Sequence, residues 1–192
     1  MRAWKLVAAA LFAAVLGSFL VLAAGRDEPS VPLRVPPFTL RDLAGNEVTN
    51  ERFARRRVTA LTVWRPGVRD CEPWLDAAAD ISASLPEDAA LVGLLVGRGG
   101  LPDEAELAAA REIAAGRTGA VTHLVADNSL MALLVEVRTL PVTFFVDGEG
   151  RIVGHPLAGG DPHRIVRELR ALLDADPKDA AERRRIHTQI FR

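Results

Sequence analysis

The chain has 192 residues, 49% of them hydrophobic, enough for one domain of ordinary size with an appendage. Its formal net charge of -1, from 24 Lys and Arg against 25 Asp and Glu, supplies no whole-chain attraction to nucleic acid, so polyanion binding is not expected. With one cysteine, Cys71, no intramolecular disulfide can form.

At the N-terminus, Arg2 and Lys5 precede an uncharged apolar run at 6–24. A helix of that length, at about 1.5 Å per residue, suffices to cross a hydrocarbon core of about 30 Å. Ala23, Ala24 and Gly25 also form the small-residue pattern that a signal peptidase accepts. Residues 1–25 are therefore expected to be a transmembrane anchor or an uncleaved signal. The positive-inside rule then gives a single-pass protein of the cytoplasmic membrane, N-terminus in the cytoplasm and domain on the extracytoplasmic, periplasmic side. Residues 26–37 hold four prolines and little periodicity, as in an extended linker. The domain is expected over 38–175. The tail at 176–192 is basic and reads as a solvated end.

Within the domain, 38–49 has apolar residues on either side of an Ala-Gly-Asn turn signal and predicts a small hairpin. The arginines at 55–57 read as a solvated loop. VTALTVW at 58–64 is a β-branched, uncharged run, as expected of a strand covered on both faces. A helix is expected over 70–84, with Pro73 in its first turn and Cys71 at its N-terminus. A strand at 91–97 leads to a helix at 101–116, with acidic residues early and Gly116 as its stop. A strand at 121–127 and a short helix at 128–137, capped by Asn128 or Ser129, come next. A strong hairpin at 142–157 turns around Asp147, Gly148, Glu149 and Gly150. A last helix at 161–175 carries Ile165, Leu169, Leu172 and Leu173 on one face, with Asp161 as its cap. This order predicts an α/β fold, a central mixed β-sheet flanked by helices on both faces and preceded by the hairpin.

PPFTLRDLAGNEV, then LTVW, then TLPVTFFVDGEGRIV, taken in this order, resemble the TlpA/ResA-like family of membrane-anchored, extracytoplasmic thiol-disulfide oxidoreductases, which includes the thiol reductases of cytochrome c maturation. The resemblance covers about 36–175 and implies a thioredoxin-like fold. It also implies a cis peptide at Leu140-Pro141, in a loop that faces the active site and holds extended peptide. Trp64, which ends the central strand, belongs to the same expected peptide-binding surface.

In the family, two cysteines of a Cys-x-x-Cys motif fall four and seven positions after the strand tryptophan. Here those positions are Val68 and Cys71, so Val68-Arg69-Asp70-Cys71 keeps the resolving cysteine and lacks the attacking one. Gly67 and Trp74 depart from the motif as well; Trp74 is expected to be a packing residue. Thiol-disulfide exchange needs an exposed thiolate and a second thiol to resolve the mixed disulfide. A helix N-terminus and Arg69 would lower the pKa of Cys71, against Asp70 and Glu72.

The resemblance thus implies a binding, scaffold or assembly subunit without independent disulfide reductase activity. It would meet an extracytoplasmic protein partner or a membrane complex, with residues 6–24 in the membrane. The alternative is a monothiol oxidoreductase using Cys71 with an external resolving thiol. A peroxiredoxin-like site is not supported, because Pro66 and Val68 do not match its Pro and Thr positions. No cofactor and no metal are expected, since His123, His155, His163 and His187 are scattered and read as surface or loop residues.

Overall fold

The computed structural model describes residues 34–119, 121–135 and 137–175. The expected anchor or signal at 1–25, most of the expected linker and the tail at 176–192 with His187 lie outside them. The single-pass membrane placement is corrected. Among the described residues no helix is long and apolar enough to cross a membrane, and the run at 6–24 lies outside those residues. An apolar run meets the length requirement of a span without specifying one, because export leaders share that composition.

The first two strands, β1 (Thr39–Arg41) and β2 (Glu47–Thr49), pair antiparallel with Leu40 opposite Val48, forming the expected hairpin. Their connection is closed by Asp42, whose carboxylate accepts from the Asn46 backbone N–H at 2.8 Å. The folded unit reaches back past Phe38, because Val35 is buried and its N–H donates to Gly150 O at 2.9 Å. A short helix, α1 (Glu51–Ala54), buries Phe53 against Phe38. It leads through the arginines at 55–57 into β3 (Val58–Trp64).

A five-stranded sheet follows in the order β5-β4-β3-β6-β7. β3, β4 (Ala89–Leu95) and β5 (Thr122–Val125) run parallel; β6 (Val142–Asp147) and β7 (Ile152–Ala158) add antiparallel. Central strands are covered on both faces, which explains the uninterrupted burial of all seven residues of β3 and all six of β6. β7 contains Pro156, which cannot donate to a ladder, and lies at the sheet edge where that donor is not needed. β4 begins two residues earlier than the 91–97 pattern suggests, because Ala89 and Ala90 pair with Val58 and Thr59.

The three long helices are α2 (Glu72–Ser84), α3 (Glu104–Arg117) and α5 (Pro162–Asp174). Their buried residues Leu75, Ala78, Ile81, Ala110, Ile165 and Leu169 share one core with Ala60, Leu91 and Phe145. The opposite face is covered by the hairpin, by α1 and by a 3-10 turn (Asn128–Leu130) that runs into α4 (Met131–Leu134), all joined to Leu61, Val63 and Phe144. Helices thus flank both faces, with the long ones together on one. Within the sheet the buried Thr62 and Thr143 hydroxyls pair across β3 and β6 at 2.9 Å.

Helix ends show how local chemistry sets the boundaries. Asp103 and Glu106 form a reciprocal capping box on α3, and Asp161 accepts from the N–H groups of His163 and Arg164 on α5. The 128–137 segment is capped by Asp127, whose carboxylate accepts from Ser129 N–H at 2.8 Å, rather than by Asn128 or Ser129. α3 runs through Gly116 to Arg117, and the reversal falls at Gly119, with φ +58°.

Candidate functional site

β3 ends at Trp64 in the sheet centre, and the chain turns through Gly67 into a 3-10 turn (Arg69–Cys71) that feeds α2. Cys71 N–H donates to Val68 O at 2.9 Å, so the four residues from Val68 to Cys71 form one tight turn. Pro73 falls in the first turn of α2, where its missing N–H has no intrahelical partner to lose.

The turn encloses the thiol. Cys71 is 0% exposed, packed in the core that holds Trp64, Trp74 and Leu75. Burial pushes its pKa up, and Glu72 and Asp70 add to the rise; a backbone hydrogen bond and the positive charge from Arg65 oppose it and do not prevail. This corrects the expectation of a lowered pKa, since desolvation of a fully covered thiolate outweighs a helix N-terminus. Val68, at the attacking position, is half-buried and faces a groove at the surface.

The Leu140-Pro141 peptide is cis. Pro141 is buried, and its carbonyl accepts from Gly159 N–H at 2.9 Å, which draws the end of β7 beside it. Gly160 completes the closure. A Cβ there would stand 2.5 Å from Asp70 O, 3.4 Å from Pro141 Cγ and 3.5 Å from Trp74 N, so only glycine lets the three segments meet. The structure therefore brings together Val68, Cys71, Leu140 and Pro141.

Trp64 is not on this surface. Alternation along β3 points it to the helix-covered face, where it is 0% exposed and its ring centroid lies 6.1 Å from that of Trp74 and 5.1 Å from that of His123. It offers no face to a peptide. Trp74 is the packing residue expected.

His123 was not foreseen as a core residue, yet it is 3% exposed. It stands on β5, facing the tryptophans, with Nε2 2.8 Å from Thr118 Oγ1. Because the Thr118 hydroxyl donates to Ala114 O at 3.2 Å, it accepts from His123 Nε2–H, and the ring is the neutral Nε2–H tautomer. Nδ1 then carries a lone pair with no partner among the described residues, as do the N–H groups of Trp64 and Trp74. Room for this comes from Gly93, where a Cβ would lie 2.2 Å from His123 Nδ1 and 2.9 Å from Trp64 Nε1. Burial pushes the His123 pKa down to about 4. His155 and His163 are exposed, as expected. Among the described residues no group of His, Cys, Asp and Glu is placed to hold a metal ion.

A mixed sheet with the crossover order above, a helix starting at the end of its central strand and a cis-proline loop facing that start define a thioredoxin-like fold. Solved structures similar to it agree. The exposed lipoprotein thioredoxin Etrx1 from Streptococcus pneumoniae strain TIGR4 superposes with a TM-score of 0.58 at 21% identity, over 70% of this chain and 98% of that one. MTB dsbF, in its mixed oxidized and reduced forms, gives 0.58 at 23% identity, over 74% and 99%. A secreted Mycobacterium tuberculosis disulfide oxidoreductase homologous to E. coli DsbE gives 0.54 at 20% identity, over 70% and 95%. At these identities the likeness establishes the fold alone. No protein-family model and no curated protein matches the chain.

Proposed function

We propose that this chain is a thioredoxin-like protein of the TlpA/ResA type that has lost independent disulfide reductase activity and works as a binding, scaffold or assembly subunit for a protein partner. The observation that carries the reading is the state of the motif turn. Val68 holds the outward position and has no sulfur, while Cys71, the only sulfur nucleophile, is enclosed with its pKa raised. Exchange needs a thiolate that reaches a substrate disulfide and a second thiol that releases the product. This turn offers neither. What it retains is the cis-proline loop beside Val68, a surface on which an extended segment can lie.

Monothiol chemistry at Cys71 would need the side chain to emerge from the core. The test is alkylation of Cys71 as a function of pH, in native and in denatured protein, beside a disulfide-reduction assay on the wild type and Cys71→Ala. The expected result is slow native alkylation that becomes fast on unfolding, and no reduction by either protein. Rapid native alkylation well below pH 8, with turnover abolished by Cys71→Ala, contradicts the proposal.

A further inference from the structure

Three arginines line one concavity beside the motif turn. A groove of about 360 Å3 opens where β3 and β4 end and the antiparallel β6 begins, lined by Arg65, Arg98 and Arg138. Strand ends of this kind are where ligands approach α/β sheets. Each arginine comes from a different loop. Arg65 follows Trp64, Arg98 follows β4, and Arg138 precedes the cis-proline dipeptide.

Among the described residues no carboxylate pairs with any of the three, and no Asp or Glu lines the groove. Elsewhere Arg57, Arg117 and Arg151 each form ion pairs. Arg98 is also held in place. It sits on a turn in which Gly97 and Gly100 exchange backbone hydrogen bonds at 3.0 and 3.1 Å, and its own N–H donates to Glu106 Oε1 at 2.9 Å. The capping box of α3 thus fixes the loop that presents a cation.

The floor of the groove is apolar, formed by Val63, Val96 and Leu140. Exposed apolar residues also stand next to the lining residues in sequence. The exposed large hydrophobic residues Leu101 and Val135 directly adjoin the lining residues Gly100 and Leu134, and Met131 lies one helical turn from Val135. A free inorganic anion would use the charge and leave this apolar surface bare. An extended chain presents alternate side chains to one face, and so can set acidic groups against the arginines and apolar groups against the floor.

We infer that the groove docks an extended, acidic and apolar segment of a protein partner. The inference rests on the proposed binding role of this surface and adds the chemistry of the partner. It is tested on the full-length chain by fluorescence anisotropy with two labelled peptides that share their apolar residues, one with Asp and Glu at the polar positions and one with Lys. The acidic peptide binds at least about tenfold tighter at low salt, the difference shrinks at high salt, and Arg98→Glu with Arg138→Glu removes it. Both residues are exposed, so the fold survives, and Arg111→Glu and Arg170→Glu, also at exposed positions, leave binding unchanged. Equal binding of the two peptides, unaltered binding by the Arg98/Arg138 variant, or tighter binding of inorganic phosphate, single-stranded nucleic acid or anionic vesicles overturns the inference. Each of those outcomes leaves the reductase measurement on Cys71 untouched, so the two readings fail separately.

Discussion

Desolvation sets the chemistry of both Cys71 and His123, raising the pKa of the thiol and lowering that of the imidazole. Cys71 could be located at a helix start from Pro73 and the strand before it. Its burial could not, because it depends on a segment distant in sequence, Gly160, closing over Asp70 and Trp74. His123 lies in a strand pattern that sequence resolved, but its partner Thr118 and the space above Gly93 are tertiary facts. The buried imidazole has a testable cost. Its pKa is about 4 folded against 6.5 unfolded, so the unfolded chain takes up the proton first as pH falls. Stability contributed by the neutral ring is fully present above pH 6.5 and is lost progressively down to about pH 4, a loss of about 3 kcal/mol from this group. Urea midpoints of the wild type should therefore fall more steeply over that window than those of His123→Gln, which has no proton to gain. Parallel profiles would show that the imidazole is not held neutral by burial.

At the scale of elements, local signals were read well where they act locally. Asp161 caps α5 through two backbone N–H groups, and hydrophobic spacing put Ile165 and Leu169 in the core. Asp127 displaced Asn128 and Ser129 as a cap because three adjacent polar residues all suit that role, and only the backbone geometry selects among them. The capping box of α3 predicts that Asp103→Ala lowers stability by about 1 kcal/mol in chemical denaturation. The same change should weaken acidic-peptide binding through the loop that carries Arg98. Gly160 is the joint between β7 and α5, and the backbone oxygen that a Cβ would meet cannot swing aside. Gly160→Ala is expected to cost about 1–3 kcal/mol, as overpacking does, and to speed alkylation of Cys71 by loosening its cover. Unchanged stability and unchanged alkylation would show that the closure at Gly160 is slack.

For the whole molecule, the mixed sheet with helices on both faces was legible from the order of strand and helix patterns, and the cis peptide at Leu140-Pro141 was implied by the resemblance alone, whereas the strand order within the sheet was not legible. The grouping of the long helices on one face was not, since no single element specifies which face it covers. The arginine groove is likewise a product of topology, built from three loops that sequence places far apart. The same architecture makes the motif reversible. The Cys71 N–H bonded to Val68 O holds residues 68 and 71 in a turn, across which a disulfide is geometrically reasonable. Val68→Cys should close one on oxidation, detected as thiols that resist alkylation until a reductant is added. The central claim, that this thioredoxin-like chain does no disulfide reduction of its own, is tested most directly by the initial rate at which it reduces a protein disulfide near neutral pH. The wild type should match Cys71→Ala and the protein-free blank. A rate well above both, and lost in Cys71→Ala, would contradict it.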